Sequence, residues 1–207
     1  MDCSSSGCGS DCHAPPCPCP PGGNPALDSV DKVFNCYIHS QHALNVEKNY
    51  FENVESLASA LSDAAQALDD ENEAYDPRAP HVVPPQSIQQ AERNLLADEA
   101  AIAASTDFPA LHTIVTESLG SLPGIDATLL YATTLRIAMY LQKMPLNVHL
   151  PPPAFAGLNA ILPLAAGVTE IPKEALPSGL HPFPAEEITH FLTTCGNQLC
   201  WLQKGRS

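Results

Sequence analysis

Positive charge is scarce in this chain: nine Lys and Arg stand against 23 Asp and Glu, for a formal net charge of -14. A surface this acidic is repelled by phosphate backbones and anionic lipid, which argues against nucleic acid as a partner. Aromatics are few, at 6%, and charged residues at 15% fall below the usual quarter. No apolar run approaches the ~20 residues needed to span a bilayer, so no membrane association is expected. Residues 1–10 have neither a basic n-region nor an apolar h-region, so no secretory signal is expected. The expected setting is therefore intracellular, cytoplasmic and reducing, where the eight cysteines are thiols or metal ligands rather than disulfides. Sustained alternation of β-branched residues is missing throughout, which excludes an extensive sheet. No internal repeat is visible.

What the chain does have is helical periodicity behind an unusual start. Residues 1–25 are rich in cysteine and proline and carry no Val, Leu, Ile, Phe, Tyr or Trp. Such a segment cannot bury enough apolar surface to offset the entropy of ordering, so it is expected to be a disordered tail unless a metal folds it. Residues 26–207 are expected to form a single helical domain of about seven helices, all-α in class. Val30, Val33, Phe34, Tyr37, Ile38 and Leu44 begin the pattern, after Asp28 or Ser29 as a cap. Tyr50, Val54, Leu57, Leu61, Ala64, Ala65 and Leu68 recur at three and four and predict a second helix. Residues 69–86 hold four prolines and predict a loop. Ser87 with Gln90 reads as a capping box opening a helix to about Ala104. Asp107 caps the next helix, with Pro109 in its first turn. Asp126 caps another, running through Leu130, Ile137 and Leu141. Pro145 and the run Pro151, Pro152, Pro153 predict irregular structure. Phe155, Leu158 and Ile161 suggest a short helix, and Pro184 starts a last one bearing Ile188, Phe191, Leu192, Cys195 and Leu199.

Candidate chemistry lies mostly in the tail. Cys3, Cys8, Cys12, His13, Cys17 and Cys19 are thiolate and imidazole donors at plausible chelating spacings for one Zn²⁺, with Cys36, His39 and His42 as further donors. The alternative is a thiol-rich tail without a specific metal site, and composition favours it slightly. Cys36 and His39 at i, i+3 form a possible thiolate–imidazolium pair, but a helix alone supplies no oxyanion hole. His149 in a proline-bounded stretch is a general-base candidate or a structural histidine. Glu186 and Glu187 are adjacent, so they point about 100° apart on a helix and read as first-turn dipole partners rather than a dyad. The acidic run at 69–73 reads as a solvated face, since a calcium loop needs a glycine that is missing.

Leu119, Gly120, Ser121, Leu122, Pro123, Gly124 and Ile125 fall between two predicted helices. They resemble the helix-hairpin-helix element of the DNA glycosylase superfamily, with Leu122, Pro123, Gly124 and Ile125 matching its hairpin. The resemblance implies a phosphate held on amides at the start of the second helix. Asn147, 23 positions after Gly124 and followed by Val148 and His149, matches the place of that superfamily's catalytic aspartate. The chain from Leu111 to Leu199 also resembles an uncharacterised helical family, whose last helix opens much as Pro184, Ala185, Glu186, Glu187 and Ile188 do. The departures are chemical. Asp126 puts a carboxylate where a phosphate would sit, and Asn147 cannot act as a carboxylate does. No lysine opens the second helix, and Cys195 and Cys200 are two of the four thiolates an iron–sulfur cluster needs. The expected function is a non-enzymatic helical interaction domain of glycosylase-like ancestry, with a protein as partner. The alternatives are a DNA-acting enzyme of the glycosylase type, or metal binding by the tail. DNA binding would need Lys32, Lys48, Arg93, Arg136 and Lys143 to cluster.

Overall fold

Caps and prolines divide the chain into helices at the places the physical chemistry of helix ends dictates. In a computed structural model, residues 33, 34, 37, 42–75, 83–159, 161–196 and 199 are described, those of 42–43 and 68–75 for their backbone alone. The tail, with its candidate ligands Cys3, Cys8, Cys12, His13, Cys17 and Cys19, lies outside them, as do Cys36, His39 and Cys200. Among the described residues the chain is mostly helical, as expected. The helices are α1 (His42–Glu52), α2 (Leu57–Tyr75), α3 (Pro85–Ala97), α4 (Glu99–Ala104), α5 (Phe108–Leu119), α6 (Ala127–Leu141), α7 (Pro152–Asn159) and α8 (Ala185–Thr194). Two compact units divide the chain: residues 44–145, and residues 1–43 with 146–207.

The unit of residues 44–145 is built around α6, which is buried nearly all round, as befits a central helix. Against it pack α2, through Leu61, Ala64 and Ala65, and α5, through Leu111, Val115 and Leu119. Helix α3 rests on α2 and α5 with Ala91 and Leu95 inward. Asp107 caps α5 by accepting from the Ala110 N–H at 2.9 Å, with Pro109 in the first turn as expected. Helix α6 ends at Gln142, which adopts the left-handed conformation at φ 56° while the Lys143 N–H returns to the Ala138 carbonyl at 3.0 Å.

Four details differ from expectation. The stripe from Tyr50 to Leu68 is not one helix: it breaks at residues 53–56, and Ser56 caps α2 by accepting from the Ser59 N–H at 3.1 Å. The break loses the phase of the stripe, so Tyr50 faces outward rather than inward. Helix α2 runs on to Tyr75 through the supposed loop, because Ala and Glu propagate an already nucleated helix cheaply. Ser87 is not a cap. Pro85 presets the first turn of α3, and the Ser87 N–H donates to the Pro84 carbonyl at 2.8 Å. The helix expected to reach Ala104 is divided at Asp98.

In the second unit α7 packs on α8, and α8 lies against a minimal sheet. That sheet, not expected, pairs β1 (Val148–His149) antiparallel with β2 (Glu170–Ile171), Val148 opposite Ile171. Its core joins Phe34 and Tyr37 to Phe191, Leu192, Leu158 and Leu180. Phe34 meets Phe183 and Phe191 edge-on at 4.3 and 4.8 Å. The α7–α8 contact is close because Gly157 and Gly196 face each other without side chains.

Candidate functional site

The hairpin stretch forms the turn between α5 and α6. The Gly120 N–H closes α5 on the Thr116 carbonyl at 2.8 Å, and the Leu122 N–H follows on Leu119 at 2.9 Å. Gly124 takes φ +85°, a conformation that costs L-residues a Cβ clash. Leu122 and Ile125 fold back onto the core of residues 44–145, which anchors the turn. At the start of α6 the Asp126 carboxylate accepts from both the Thr128 and the Leu129 N–H, each at 2.9 Å. These are amides of the first turn, the groups a helix N-terminus offers to an anion. The protein's own carboxylate occupies them.

Three basic residues of this unit are also engaged. Arg136 lies 5% exposed within α6 and donates through Nε to Glu47 of α1 at 2.6 Å, a largely buried ion pair. Lys143 donates to the Ala103 carbonyl and the Ser105 hydroxyl at 3.0 and 3.1 Å. Arg93 donates to Gln90 at 2.7 Å.

Asn147 and His149 belong to the other unit, so they and the hairpin are parts of different bodies. Asn147 is half-buried and donates to Glu170 at 3.1 Å, next to the pairing of β1 with β2. The Thr189 hydroxyl of α8 accepts from the His149 N–H at 3.1 Å and donates to the His149 carbonyl at 3.0 Å, locking the backbone of that residue. Helix α8 carries a polar stripe at i, i+3, i+4 and i+7: Glu186, Thr189, His190 and Thr193. Glu186 is buried in the first turn, where a negative charge is favoured by the dipole. His190 shares a hydrogen bond of 2.5 Å with the buried Tyr37 hydroxyl through Nδ1.

Sequence reasoning missed three of these: the Arg136–Glu47 pair, the Tyr37–His190 bond and the burial of Glu186. The only signal for Arg136 was a charge in the middle of an otherwise apolar helix, and nothing local pointed to Glu47. Among the described residues no group of three or more His, Cys, Asp or Glu is placed to hold a metal ion. No protein-family model, no curated protein and no solved structure matched the chain.

Proposed function

We propose that the chain is a non-enzymatic helical interaction domain of glycosylase-like ancestry that works through contacts with a protein. The observation that carries this reading is the Asp126 carboxylate on the Thr128 and Leu129 amides. A phosphate entering there would have to displace a tethered carboxylate and then sit beside its charge, which opposes binding. Arg136, Arg93 and Lys143 are each committed to partners within the unit, which supports the same reading. At Asn147 an amide bonded to Glu170 stands where hydrolysis would require a carboxylate. The net charge of -14 adds long-range repulsion from a duplex.

Fluorescence anisotropy with intact and abasic duplexes at physiological salt tests the reading. No saturable binding is expected. Micromolar or tighter affinity that weakens steeply with salt would favour a DNA-acting enzyme instead.

A further inference from the structure

We draw no further inference here: the strongest candidate, the exposed face of α1 formed by Val46 and Tyr50, carries none, because nothing in the structure shows what covers it.

Discussion

Gly157 offers the sharpest quantitative trial of the packing. It lies inside α7, where glycine costs about 1 kcal/mol relative to alanine. Propensity alone therefore predicts that Gly157→Ala stabilises. The packing predicts the opposite. A Cβ at this position would stand 2.5 Å from the Leu192 carbonyl oxygen and 3.0 Å from the Gly196 Cα. Carbon–oxygen approaches at helix–helix contacts begin near about 3.3 Å, so α7 and α8 would have to part by roughly 0.8 Å. Both obstructing atoms are backbone, and no rotamer change relieves them. Overpacking of this kind costs about 1–3 kcal/mol, and the severity of the overlap places it at the upper end. After the propensity gain, a net loss of about 2 kcal/mol is expected. Gly196→Ala is the internal control. Its Cβ would meet Gly157 Cα and the Pro153 carbonyl oxygen at 3.4 Å, at the edge of ordinary contact, so a change within about 0.5 kcal/mol is expected. Urea unfolding followed by far-ultraviolet circular dichroism measures both. A Gly157→Ala chain as stable as the parent, or more so, would refute the close helix contact.

Four further outcomes are expected. Asp126→Ala removes the cap of α6 and should cost about 1 kcal/mol in the same urea experiment, with Asp126→Asn losing less. Glu47→Ala takes the carboxylate from a buried guanidinium; because Glu47 is itself a third exposed, the loss should be about 2–3 kcal/mol rather than the full cost of breaking a buried pair. Arg136→Met removes the charge along with its need for a partner, so urea unfolding should show it milder than Glu47→Ala. The Tyr50 phenol is held above its ordinary value near 10, first by its hydrogen bond to Asp63, then by desolvation and by the Asp63 charge. Its small contribution to stability is complete below about pH 10 and is lost as pH rises through the folded value. Ring-carbon NMR titration should show Asp63→Asn lowering that value.

The helical class was legible because its signals are local. Asp107 and Asp126 each precede an apolar 3.6-residue stripe, and both cap as expected. The stripe of Ile188, Phe191, Leu192, Cys195 and Leu199 is buried throughout. Where the reading failed, a competing local signal decided the outcome. Pro85 outranked Ser87 as a helix start, and the turn at residues 53–56 has no proline or glycine to announce it. The two-residue strands at Val148 and Glu170 are too short for any alternation to register. Asp126 could be read from the sequence as the cap of α6, but the two amides it holds, Thr128 and Leu129, needed the structure. The Arg136–Glu47 pair spans 89 positions, and no spacing rule reaches that far.

The measurement that bears most directly on the central claim follows the amide signals of Thr128 and Leu129 by NMR while an abasic duplex is titrated into the full chain. With the Asp126 carboxylate on both amides, the account predicts that neither signal moves at physiological salt. Saturable shifts of the two signals, growing as salt is lowered, would mean that a phosphate displaces Asp126 and that the hairpin binds nucleic acid after all.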